Sequence, residues 1–121
     1  MPKIQNRFDF RQEADTLEIY IYGVIESDYR DWWTGEEIES ETSADFFREK
    51  LAEYPNAKTI KLFVNSQGGS VLEAMGIRAQ LARHPAKKIA IVDGWAASAA
   101  SFIITICDEV RMFSSSMQML H

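Results

Sequence analysis

Cysteine is nearly absent from this chain of 121 residues: the one copy, Cys107, excludes an internal disulfide and suits a reducing compartment. Histidine is almost as scarce. His84 and His121 are the only two, so chemistry that needs an imidazole base has two candidates. Long apolar runs are also missing, and none approaches the roughly 18 consecutive residues of a membrane-spanning helix. Basic charge is in the minority: 13 Lys and Arg stand against 18 Asp and Glu, a formal charge of −5. That balance opposes nonspecific contact with phosphate backbones and anionic lipid, so neither nucleic acid nor a membrane is expected as a partner. The opening residues, Met1-Pro2-Lys3-Ile4-Gln5-Asn6-Arg7, lack an apolar stretch followed by a small-residue cleavage site. No secretory signal is therefore expected, and the cytoplasm is the default location. No Cys/His cluster has zinc-ligand spacing and no Gly-rich loop is followed by Lys-Ser/Thr, so neither a metal nor a nucleotide cofactor is implied.

What is present is apolar content of 46%, enough for one core and too little chain for two, so a single domain over residues 1–121 is expected. Leu17 to Ile25 is rich in β-branched and aromatic residues and reads as a strand that Gly23 can bend. Glu26 to Glu41 turns polar and acidic around Trp32-Trp33-Thr34-Gly35 and reads as a surface loop, with Glu36, Glu37, Glu39 and Glu41 as a solvated run. The adjacent tryptophans call for a partner. Thr42 or Ser43 caps a helix whose Phe47, Leu51 and Tyr54 share a face, and Pro55-Asn56 ends it. Ile60–Asn65 is a second strand, Val71–Arg83 a second helix stopped by His84-Pro85, and Ile89–Asp93 a third strand. A helix beginning near Ala97 or Ser98 and running to Cys107 follows, then a strand over Val110–Phe113 and the start of another over Met117–His121. Strands alternating with helices predict an α/β fold with a largely parallel sheet and right-handed crossovers, whose sites gather at the carboxyl ends of the strands.

Two loops fit that place. Asn65-Ser66-Gln67-Gly68-Gly69-Ser70 joins a strand to a helix, and its paired glycines can aim backbone N–H groups at an oxygen bearing negative charge, or can serve turn geometry alone. Gly94-Trp95-Ala96-Ala97-Ser98-Ala99-Ala100-Ser101 does the same. Ser98 is there either a nucleophile, with the Ala99 N–H beside it as an oxyanion donor, or simply a helix N-cap; Ser101 fits a packing role. A serine hydroxyl needs a positioned base. His84, at a helix end, suits carbonyl capping better than catalysis, whereas His121 ends an apolar segment that would carry it to a strand end beside the other loops. Cys107 reads as buried in mid-helix and inert as a thiol.

In order along the chain, Asn65-Ser66-Gln67-Gly68-Gly69-Ser70-Val71, Gly94-Trp95-Ala96-Ala97-Ser98 and Met119-Leu120-His121 resemble the three site motifs of the ClpP family of serine peptidases. Within that family Trp32-Trp33 with Gly35, the Ser98 surroundings and the Ser-rich approach to the histidine are similar to the ATP-independent proteases that mature phage and prophage capsids. The resemblance implies a ClpP/crotonase superhelix of ββα units and subunits closed into a homo-oligomeric ring. It also implies peptide or protein substrates such as scaffold and capsid segments, Ser98 as nucleophile, His121 as base, and Gly68, Gly69 and Ala99 as the oxyanion hole. No cofactor or metal is implied. Gln67 replaces the family's usual proline, which leaves both glycines in place. The family's triad aspartate falls beyond His121, and loss of the orienting carboxylate costs a serine protease about 10⁴ in kcat, so the 121 residues as given are expected to be truncated and inactive. Rival expectations are a Ser-Lys peptidase using Lys87 or Lys88, although that pair looks solvent-facing; a crotonase-type acyl-CoA site; and a noncatalytic ring-assembly module.

Overall fold

Alternation of apolar and polar residues builds a sheet in this chain, and capped amphipathic segments build the layer over one of its faces. The computed structural model describes residues 7–30, 32–38, 40–112 and 117–119. Strand β1 (Arg7–Glu13) turns back through a short connection into β2 (Thr16–Ile25), with Phe8 opposite Ile21 in an antiparallel pair. Two-residue strands β3 (Tyr29–Arg30) and β4 (Glu37–Ile38) form a separate antiparallel hairpin. Helix α1 (Ala44–Leu51) follows, then β5 (Thr59–Gly69), α2 (Val71–Arg83), β6 (Lys87–Ala97), α3 (Ala99–Ile104), β7 (Glu109–Met112) and β8 (Met117–Met119). The main sheet runs β1-β2-β5-β6-β7, and β8 also pairs with β6. All its pairings except β1 with β2 are parallel, so the expected mixed α/β fold with a mostly parallel sheet is what the chain adopts.

The period-2 rule explains which face is covered. Leu17, Ile19 and Ile21 of β2, Ile60, Leu62 and Val64 of β5, and Ala90 and Val92 of β6 are all buried in one core. Opposite them lie Phe47 and Leu51 of α1, Ala74, Ile77 and Leu81 of α2, and Ala99, Ala100, Ile103 and Ile104 of α3. Ser43 caps α1 through its hydroxyl, which accepts from Phe46 N, and Ser70 caps α2 by accepting from Glu73 N. Glu73 then accepts from Ala44 N at 3.1 Å, so the caps of α1 and α2 are tied to each other. Among the described residues no helix is long and apolar enough to cross a membrane.

Several expectations require correction. Phe8-Asp9-Phe10-Arg11-Gln12 forms an edge strand that was not anticipated, and the 26–41 loop contains the β3–β4 hairpin. The helix expected to reach Cys107 ends at Ile104, which leaves Cys107 beyond it, half-buried rather than in mid-helix. The strands run further than their apolar stretches, because β5 continues pairing through its glycines and β6 through Ala97.

Candidate active site

β2, β5 and β6 run parallel, so their carboxyl ends open on one edge, and both glycine-containing loops lie there. Pairing at this edge is irregular, with register shifts between Tyr22 and Val24 and between Val64 and Ser66. Ser66 holds the irregularity together. Its buried hydroxyl donates to Gly23 O at 2.5 Å and accepts from Gly68 N at 3.1 Å. The role of Ser66 was missed in the sequence, although a serine two residues before a glycine is the signature of a hydroxyl that closes its own turn.

Gly68 and Gly69 have φ of 98° and 140°, where an L side chain is strained. The space is closed as well. A methyl group on Gly69 would lie 2.0 Å from Ile25 O, and one on Gly68 would lie 2.7 Å from Ala97 O, 3.0 Å from Ala99 N and 3.0 Å from Ser98 Cβ. Gly68, Ser98 and Ala99 are therefore brought into direct contact, and a side chain at 68 would separate them. Gly69 packs the other way, against β2.

Ser98 is the second strained point of this edge, at φ 52° and ψ −121°. Its residue occupies the N-cap position of α3, its carbonyl accepts from Phe102 N at 3.2 Å, yet its side chain makes no capping hydrogen bond. The capping role that competes with nucleophile is thus not the one its hydroxyl performs. A non-glycine residue in such a conformation costs on the order of 1–3 kcal/mol and is characteristic of functional turns. Ser101, fully buried among the α3 residues, keeps the packing role expected of it.

His121 lies outside the described residues. The strand that leads toward it, β8, pairs Trp95 with Met117, Ala96 with Gln118 and Ala97 with Met119, so the described chain ends beside the residue that precedes Ser98. His84 is occupied elsewhere: Nδ1 accepts from Ala86 N at 3.1 Å, which leaves Nε2 to donate to Tyr54 O at 3.2 Å. It is a helix cap, as expected.

Lys88 contradicts the expectation of a solvent-facing pair. Only 8% exposed, it donates through Nζ to His84 O at 2.6 Å and Ala86 O at 2.9 Å, while Lys87 stays exposed. It also stands near the start of β6 and Ser98 just past its end, so about 30 Å of strand separates them at about 3.3 Å per residue. Neither lysine can serve Ser98 as a base.

Two further groups are perturbed. Tyr22 donates to Asp93 Oδ2 at 2.6 Å across β5, and burial, helped by this bond and the Asp93 charge, pushes its pKa up to about 12. Burial, reinforced by Asp108 and opposed by Lys88, pushes the Cys107 thiol up to about 11, which keeps it protonated near neutrality. No group of three or more His, Cys, Asp or Glu among the described residues is placed to hold a metal ion.

Comparison with known proteins agrees with this fold. The family model for Clp protease matches residues 15–121. No curated protein matches the chain. Among solved structures, ClpP1 from Listeria monocytogenes is similar at 23% identity and a TM-score of 0.55, over 74% of this chain and 46% of that one. An enoyl-CoA hydratase from Mycobacterium avium subsp. paratuberculosis K-10 gives 15% identity and a TM-score of 0.67, over 98% and 51%. OdaA of Pseudomonas aeruginosa gives 14% and 0.65, over 93% and 50%. These likenesses concern the fold, and the chain spans about half the length of the solved structures it matches.

Proposed function

This chain belongs to the Clp protease family, and on that premise we propose that it carries the nucleophile of a serine endopeptidase, with Ser98 attacking the carbonyl of an extended peptide. The observation that carries the proposal is the strained Ser98 backbone, whose hydroxyl takes no part in capping α3 and whose Cβ lies against Gly68. A glycine turn packed on a strained serine turn is what acyl transfer requires: the attacking oxygen and the oxyanion donors must converge on one carbonyl.

In this mechanism His121 takes the Ser98 proton and returns it to the leaving amine. The oxyanion of the tetrahedral intermediate is held by the Ala99 amide together with amides of the Gly68–Gly69 turn. Since the Gly68 amide already donates to Ser66 Oγ, its share in that task takes a bifurcated bond. A carboxylate outside these 121 residues orients the imidazole. The capsid or scaffold maturation type, working without an ATP-driven partner in a homo-oligomeric ring, is supported by Trp32-Trp33 with Gly35 and by the small residues around Ser98.

Labelling of the full-length protein, orienting carboxylate included, with a serine-directed fluorophosphonate, followed by peptide mapping, tests the assignment. Ser98 is expected to carry the label and Ser98→Ala to abolish it; label that persists in the variant removes Ser98 as nucleophile.

A further inference from the structure

Exposed apolar surface is not spread evenly over this protein. Trp32 and Trp33 are 80% and 79% exposed and stack on each other with centroids 4.4 Å apart. Together they leave roughly 300–400 Å² of aromatic surface in water, since a tryptophan or similar ring can bury 150–250 Å². Isolated exposed apolar residues need no explanation, but a stacked pair at the tip of a built hairpin does.

The hairpin is built with care at its base. Ser40 Oγ donates to Glu26 O at 2.7 Å, Ser40 N donates to Asp28 Oδ1 at 2.7 Å, and Glu26 N donates to Thr42 Oγ1 at 3.0 Å. Ser40, Thr42 and Ser43 are buried. Higher up, Arg30 and Glu37 pair across the two strands at 3.0 Å. Buried, satisfied polar groups hold a single arrangement, so the arm is fixed where it leaves the sheet.

That point of departure is the carboxyl edge. Ile25, the last residue of β2, pairs with Gly69 and accepts from Ser70 N at 2.7 Å, one residue from the Gly68 contact with Ser98. With strands about 4.8 Å apart and successive Cα atoms 3.8 Å apart, the foot of the arm lies within about 15 Å of Ser98. From Ile25 to Trp32 the chain can reach about 24 Å at most, comparable to the span of about seven residues of extended peptide.

We infer that the Trp32–Trp33 tip is a remote subsite of the peptidase, which holds an aromatic or long aliphatic side chain of an extended peptide a few residues away from the bond at Ser98. The inference rests on the serine-peptidase reading and adds to it the part of the substrate that is recognised. With Glu37 offset by its pairing to Arg30, Glu36 near the tip and Asp28 and Glu41 at the base still leave the arm net acidic, which favours a peptide whose neighbouring residues are basic or neutral over an acidic one. Stacked indoles supply flat, rigid contact area at little entropic cost, which suits the capture of a flexible chain.

The test uses the whole chain with Ser98→Ala, so that peptide is bound and not cut. Fluorescein-labelled peptides of about 12 residues, alike except for Phe or Gly at one position flanked by lysines, are titrated and followed by anisotropy. The Phe peptide is expected to bind more tightly than the Gly peptide. Trp32→Ala/Trp33→Ala is expected to weaken the Phe peptide about tenfold or more and to erase that preference, with an unchanged melting temperature because neither ring is in the core. An unchanged preference in the double variant overturns the inference. So does a sedimentation experiment in which the double variant dissolves a self-associated form, since the tip is then covered by a second copy. Fluorophosphonate labelling of unmutated Ser98 in the full-length protein, orienting carboxylate included, is read in parallel: label without a Phe preference defeats this inference and leaves the peptidase reading standing, whereas absence of label defeats that reading.

Discussion

The two ends of the parallel strands use polar groups for opposite purposes. At the amino edge, Asp15 O accepts from Lys58 N, Lys58 O from Lys87 N, and Lys88 O from Asp108 N, all within 2.9 Å. Asp108 returns a carboxylate oxygen to Lys88 N, the Lys88 ammonium is spent on two carbonyls, and the His84 ring is spent on the Tyr54 carbonyl and the Ala86 amide. The titratable side chains there act as staples. At the carboxyl edge the backbone takes positive φ at Gly68, Gly69 and Ser98 and is strained at Ser98, the register shifts twice, and the serine hydroxyl does not cap α3. A group that is fully used in holding the chain cannot also move a proton, and strain persists only where its surroundings enforce it. The difference supports the proposed placement of the reaction at the carboxyl edge on grounds independent of any motif.

The largest test of this contrast is Gly69→Ala. With Ile25 O only 2.0 Å from the added methyl and φ at 140°, it is expected to destabilise by at least about 3 kcal/mol in urea unfolding. A cost under about 1 kcal/mol would mean that the edge is not held rigidly. Lys88→Met comes next. It strips two carbonyls of their donor, so a loss of about 2 kcal/mol is expected with Ser98 labelling untouched; a loss of labelling would erase the division between the two ends. Ser98→Gly should do the reverse at the carboxyl edge, raising stability by about 1 kcal/mol as the strain at φ 52° is relieved, while the label disappears.

The smallest effect belongs to Tyr22. Its folded pKa of about 12 lies above the ordinary value of 10.0, so the neutral form is favoured by folding. Its contribution is full below pH 10 and is lost as pH rises through 12. Thermal melts between pH 9 and 12 should show that decline, and Tyr22→Phe, costing no more than about 1 kcal/mol at neutral pH, should flatten it. Ultraviolet titration checks the tyrosinate directly.

Much of this was legible beforehand. Thr42 or Ser43 announced the first helix, with Ser43 the cap in fact used, and Val71–Arg83 ends where the His84-Pro85 stop dictates. The two site loops were found because strand, glycine and helix follow one another so closely. Other features left weaker marks. β3 and β4 have two residues each, too few for any period, and β1 is an edge strand whose alternation is brief. Lys88 was misjudged against a signal that was present: it shares the parity of Ala90 and Val92 and so faces inward with them, its ammonium returning to backbone oxygens at the strand's start. The torsion of Ser98 is of a different kind. A run of alanines and serines is compatible with both a capped helix and a strained turn, and only the packing of Gly68 against it selects between them.

That packing at Gly68 has an engineering consequence. Because residue 68 and residues 97–99 occupy each other's clearance, neither loop is a portable module. A graft of the serine turn into another scaffold would arrive misshapen unless its glycine counterpart travelled with it at the same strand offset, and a library that randomises one loop alone would sample mostly collapsed clefts.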